Sequence, residues 1–173
     1  MDILGHLAMR DPVMGRLIAR VGPCALKPDV RRSPYEALVR AVAHQQLSGK
    51  AAATIMGRVI QAFPGRRFPR PEDLAGATDE MLRAAGLSRA KCASVKEIAA
   101  RTIEGVVPTR GGLASLTDEE IVERLTSIRG VGRWTVEMLL IFTMGRPDVL
   151  PVHDLGVRKG FALAYGADRK SVV

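Results

Sequence analysis

The chain has 173 residues, 47% of them hydrophobic, which is enough to bury a core and excludes an intrinsically disordered protein. That length suits one compact domain spanning 1–173. A formal charge of +8 and a pI near 10.2 point to a polyanionic partner, because neutralised phosphates release counterions on binding. Charge alone leaves nucleic acid and an acidic membrane surface both open.

Cys24 and Cys92 match no metal-ligand or redox spacing. Two thiols are also too few for an iron-sulfur cluster, which takes about four. The start, MDILGHLAMRDP, carries an acid at Asp2 and lacks an apolar stretch of signal-peptide length, and nothing further on approaches a membrane span. The expectation is a cytoplasmic protein with no membrane contact, nucleoid-associated in a bacterium.

Start and stop signals divide the chain into short helices, and no two-residue alternation persists long enough for a sheet, so the expected class is all-α. Asp11-Pro12 reads as an N-cap and first turn of a helix to about Arg20. Residues 21–32, with two prolines and a glycine, read as a loop. Ser33-Pro34-Tyr35-Glu36 reads as a capping box opening an amphipathic helix that ends near Leu47. Ser48 caps the next helix, GKAAATIMGRVIQAF, which stops before the basic, proline-rich loop PGRRFPRPED. Thr78 and Ser88 introduce MLRAAG and RAKCASVKEIAARTIEG, and Thr117-Asp118-Glu119-Glu120 forms a second capping box. Helices this short are unstable alone and must pack as a multi-helix globule.

The informative stretch is LTSIRGVGRWTV at 125–136. Leu125, Ile128 and Val131 have the spacing to hold two helices together, while Gly130 and Gly132 permit a tight turn with exposed backbone. The second helix then starts with bare N–H groups that, with the helix dipole, grip a DNA phosphate without reading a base. Arg129 and Arg133 add positive charge there. An ordinary helix corner would also use two glycines, but not this combination of apolar spacing, arginines and Thr135.

This stretch resembles the helix-hairpin-helix signature of the base-excision DNA glycosylase superfamily, L-x-x-hydrophobic-P-G-V/I-G-x-x-T-A, with Arg129 in place of the common proline and Val136 of the common alanine. LPVHDLGVRKGF and AVAHQQLSGKAA are similar to the alkylpurine, or 3-methyladenine, glycosylase II branch. The resemblance covers about residues 10 to 165 and is strongest from 125 to 161, with the helix-hairpin-helix at about 118–144. It implies a compact multi-helix glycosylase domain, a monomer on damaged double-stranded DNA, and no cofactor for the chemistry. It also implies a sodium or potassium ion on the main-chain carbonyls of Thr126, Ile128 and Val131, bridging to DNA.

By the same resemblance Gly130, Val131, Gly132, Arg133, Thr135 and Ser48 contact DNA, and the probe that plugs the vacated duplex is Gln46, with Gln45 beside it. The essential aspartate, about twenty residues past the hairpin, corresponds to Asp154. An N-cap alone would equally account for an aspartate there. Members that also cut the backbone carry a lysine at the position of Trp134, so base removal without lyase activity is implied. Trp134 and Met138 are candidates for the lesion pocket, since an indole face attracts a cationic purine; a core tryptophan is the competing reading. Other purine lesions, ethenoadenine or a deaminated base, and a damage-sensing protein without catalysis both stay open. Relatives continue past FALAYG with further helices, so the end at Val173 raises the expectation of a truncated chain or a more open pocket.

Overall fold

The computed structural model describes residues 2–166, and among them every regular element is helical. These residues form two compact units, one discontinuous (2–27 with 150–166) and one continuous (28–149).

The discontinuous unit holds α1 (Ile3–Arg10), α2 (Pro12–Val21) and α11 (Leu155–Tyr165). Helix α1 was not expected from the sequence; its N-cap is Asp2, whose carboxylate accepts from Gly5 N–H at 3.0 Å. Asp11 joins two helices: its N–H closes α1 on Leu7 O, and its carboxylate accepts from Val13 and Met14 at the start of α2. The Tyr165 hydroxyl donates to the same carboxylate and so ties α11 to α2.

The continuous unit contains α3 (Pro34–His44), α4 (Gly49–Gln61), α5 (Pro71–Ala75), α6 (Asp79–Ala84), α7 (Arg89–Ile103), α8 (Arg110–Ala114), α9 (Asp118–Thr126) and α10 (Arg133–Leu139), which runs on through a π turn at Leu140–Met144. Helix α7 is the centre, packed by α3, α5 and α6, while α10 packs on α3 and α9. The core is apolar and dense: Leu38, Val42, Met56, Leu74, Ile98, Leu113, Ile121 and Leu125 are buried. Each contributes about 1.5–3 kcal/mol by leaving water, and no helix here is long enough to stand without that contribution.

Four differences from the sequence reading have physical causes. The loop of residues 64–73 gives way at Pro71 to α5, and α8 forms inside a stretch left unassigned; both are single turns that depend on their buried Leu74 and Leu113. Ser33 caps α3 by accepting from Glu36 N–H at 3.1 Å, but the Glu36 carboxylate does not return to the cap. It is buried instead between Arg40 (2.9 Å) and Arg67 (2.6 Å), two charged donors that outcompete one backbone N–H. Finally, α3 stops at His44 rather than near Leu47. By contrast the box at Thr117 closes fully, with Glu120 accepting from both the N–H and the hydroxyl of Thr117.

Candidate nucleic-acid interface and base cleft

In the hairpin, Leu125, Ile128 and Val131 are buried, and two tight turns, Ile128 N–H to Leu125 O and Val131 N–H to Ile128 O, carry the chain from α9 to α10. Gly130 sits at φ +80°, and a Cβ there would collide with the Ser94 hydroxyl and lie 2.8 Å from Ser94 Cβ. Glycine is required at 130 on both counts. Gly132 differs: its φ is −93° and a Cβ would meet nothing within the protein. What its missing side chain leaves open is the start of α10, which has no side-chain cap. Thr126, Ile128, Val131 and Gly132 all line the shallow depression at this point.

The charged residues are partly committed. The Arg133 guanidinium reaches back to Glu119 on α9, which holds that carboxyl below the usual range and raises the arginine further. Arg129 is exposed. Thr135 is buried, so its side chain is turned into the protein and its main chain is what remains for a DNA contact. Ser48 is exposed and its hydroxyl accepts from Ala51 N–H at 3.3 Å as the cap of α4.

Between α3 and α4 lies the turn that the sequence reading singled out. Gln46 has φ +59°, the only positive φ of a non-glycine among the described residues, and its side chain is exposed. Such a backbone costs about 1–2 kcal/mol and persists only where the surroundings over-determine it. Here they do. Lys91 of α7 donates from Nζ to Ala43 O (2.8 Å) and Gln45 O (2.7 Å), ending α3, and Gln45 Nε2 donates to Gly130 O at 3.0 Å and reaches Thr135 Oγ1 at 3.5 Å. Burial holds the Lys91 ammonium below its ordinary pKa, a cost these two carbonyls offset. The amide of Gln45 is thus spent on the hairpin, while Gln46 is the one held outward.

Beside this turn is a cleft of about 670 Å³ bounded by His44, Gln45, Gln46, Leu47, Trp134 and Met138. Its size is that of a small-molecule site. Trp134 is 44% exposed, which excludes the core reading of this residue, and Met138 one turn on is half-buried. No lining side chain carries a fixed charge.

Asp154 belongs to the other unit. It is the N-cap of α11, its Oδ1 accepting from Val157 N–H at 2.9 Å. The capping function is therefore real, and it fixes the orientation of the carboxylate. Lys91 and Ser94 escaped sequence reading, because their contacts to the turn and hairpin come only from the packing of α7 against them.

A glycine hairpin that bares a helix start beside an aromatic cleft is the arrangement of a helix-hairpin-helix protein. The chain belongs to the HhH-GPD superfamily of base excision DNA repair proteins, whose family description matches residues 39–172. It is 45% identical over 157 residues to DNA-3-methyladenine glycosylase 1 of Schizosaccharomyces pombe, covering 90% of this chain and 69% of that one. Its fold is similar to the S. pombe 3-methyladenine DNA glycosylase in complex with abasic DNA, with a TM-score of 0.85 at 41% identity, covering 96% of this chain and 84% of that chain. It is equally similar to the Bacillus halodurans DNA-3-methyladenine glycosidase, with a TM-score of 0.86 at 34% identity, covering 96% and 76%.

Proposed function

We propose that this chain is a DNA glycosylase that excises alkylated purines, of the 3-methyladenine and 7-methylguanine type, from double-stranded DNA. The observation that carries this reading is the cleft at Trp134 and Met138, lined by no Lys, Arg, Asp or Glu, aromatic on one side, and adjoining the turn that holds Gln46 outward. The names of the relatives support the same substrate class.

The hairpin backbone at Gly130–Gly132 takes a phosphate of the damaged strand. Gln46 fills the gap left in the duplex when the nucleotide is extruded. The base then meets Trp134, whose ring face attracts the positive charge of an alkylated purine by about 0.5–2 kcal/mol. As the base departs, positive charge grows on the deoxyribose, and Asp154 supplies the opposing carboxylate and orients water. Position 134 offers no amine, so no Schiff base forms there and the product is an intact abasic strand.

The chemistry draws on no cofactor. The main-chain carbonyls of Thr126, Ile128 and Val131, residues that all line the hairpin depression, would hold a sodium or potassium ion, which would supply positive charge toward a DNA phosphate; rings of main-chain oxygens suit such ions. The protein acts on damaged double-stranded DNA as a monomer, a reading with which a hairpin and cleft drawn from residues 28–149 of a single chain agree.

One observation favours a second reading, a damage sensor without catalysis: capping alone accounts for Asp154. Asp154→Asn separates the two, because asparagine caps as well as aspartate but carries no charge. Unchanged thermal stability with base release from methylated duplex lowered by about 100-fold or more is expected for the enzyme. Equal release by both proteins would refute the assigned role, and no release by either would leave damage sensing.

A further inference from the structure

His44 closes α3 and faces the cleft of Trp134 and Met138 on one side and the adjoining groove of Arg40 and Phe142 on the other. Its Nδ1 lies 2.7 Å from Arg40 O. A carbonyl oxygen only accepts, so Nδ1 carries the proton, and in the neutral ring Nε2 keeps its lone pair. Nε2 has no hydrogen-bond partner among the described residues. Of the neighbouring polar side chains, the Gln45 amide nitrogen is committed to Gly130 and Thr135 and Gln46 stands on the exposed turn, while Trp134 borders the cleft with its ring. His44 thus lines the cleft with its ring tied at Nδ1 to its own helix and its other nitrogen an acceptor.

We infer that His44 is a specificity-determining residue, whose Nε2 accepts a hydrogen bond from the exocyclic amine of an adenine-type lesion and opposes the C6 carbonyl of a guanine-type lesion. This rests on the excision of alkylated purines proposed above. The chemistry is that of the two bases: adenine carries a donor at C6 where guanine carries an acceptor. A lone pair facing a carbonyl leaves two acceptors unpaired in a partly desolvated site, the arrangement that discriminates most strongly between otherwise similar substrates.

The test uses duplex DNA treated with dimethyl sulfate, which contains 3-methyladenine and 7-methylguanine together, with both released bases measured by chromatography from the same tube. For His44→Ala, 3-methyladenine release is expected to fall by about tenfold relative to 7-methylguanine, the scale of one hydrogen bond. For His44→Gln, whose amide donates as well as accepts, 7-methylguanine release should rise relative to 3-methyladenine. Partial misfolding of a variant lowers both products equally and leaves the ratio unmoved, so the ratio isolates recognition. An unchanged ratio in an active protein, or a ratio that shifts toward 3-methyladenine, overturns the role of His44 alone. Absence of both products with the unmodified protein overturns the excision reading, and this inference with it.

Discussion

The side-chain amide of Gln45 donates to the carbonyl of Gly130 at 3.0 Å, joining the turn after α3 to the hairpin glycine 85 positions further on. Lys91 secures the other side of that turn through Ala43 O and Gln45 O. The two elements that the proposed function needs in register, the outward Gln46 and the phosphate-gripping hairpin, are therefore one hydrogen-bonded assembly.

Lys91→Met removes both bonds to the α3 carbonyls and keeps most of the aliphatic stem. The loss of stability should be about 1–3 kcal/mol, the usual cost of leaving buried acceptors unpaired. With Gln46 no longer held at positive φ, excision should fall further than affinity for undamaged DNA. Denaturant unfolding, together with base release and DNA titration, checks this; equal losses in binding and excision would contradict it.

The hairpin glycines should separate by what they fail at. Gly130→Ala faces both a left-handed backbone and the Ser94 side chain, and should lose about 2–4 kcal/mol of stability. Adding Ser94→Gly should recover part of that loss. Gly132→Ala meets no atom of the protein and should unfold within about 1 kcal/mol of the unmodified chain, yet bind DNA several-fold more weakly because its methyl group stands where the phosphate approaches. Thermal unfolding and fluorescence titration of a duplex would show whether the two effects divide in this way.

The Asp11–Tyr165 pair makes stability depend on pH at both ends. The Tyr165 hydroxyl, then the Met14 N–H, hold the Asp11 carboxyl below its usual range, and the same bond raises Tyr165. A depressed carboxyl contributes stability above its unfolded value, about 3.9, that is lost as pH falls through the folded value. A raised phenol contributes stability below about 10 that is lost as pH climbs through its folded value. The difference in Tm between the unmodified protein and Tyr165→Phe should be greatest between about pH 5 and 9 and shrink on either side. A difference that stays constant from acid to alkaline pH would show that the bond is not coupled to titration.

Much of the helix content was legible because N-capping is local: Asp11, Ser33, Ser48, Thr78, Ser88, Thr117 and Asp154 each cap the helix that follows, with partners two or three residues away. The hairpin was legible for the same reason, since its apolar spacing and its glycines lie within one short segment. Helices α1, α5 and α8 were missed because a single turn or two has too little periodicity to register. The early end of α3 and the diversion of Glu36 from its cap depend on Lys91, Arg40 and Arg67, and only Arg40 is a near neighbour in the chain.

Local sequence determined that this is an all-α protein with a helix-hairpin-helix and an aspartate at the start of its last described helix. The tertiary structure alone decided that Trp134 faces a cleft rather than the core, that Gln45 serves the hairpin, that Gln46 is the strained and outward residue, and that His44 presents an acceptor to the cleft. The reason is physical: caps and turns are settled by hydrogen bonds spanning three or four residues, whereas the shape and polarity of a cleft depend on which faces of α3, α7 and α10 remain uncovered once their apolar sides have packed.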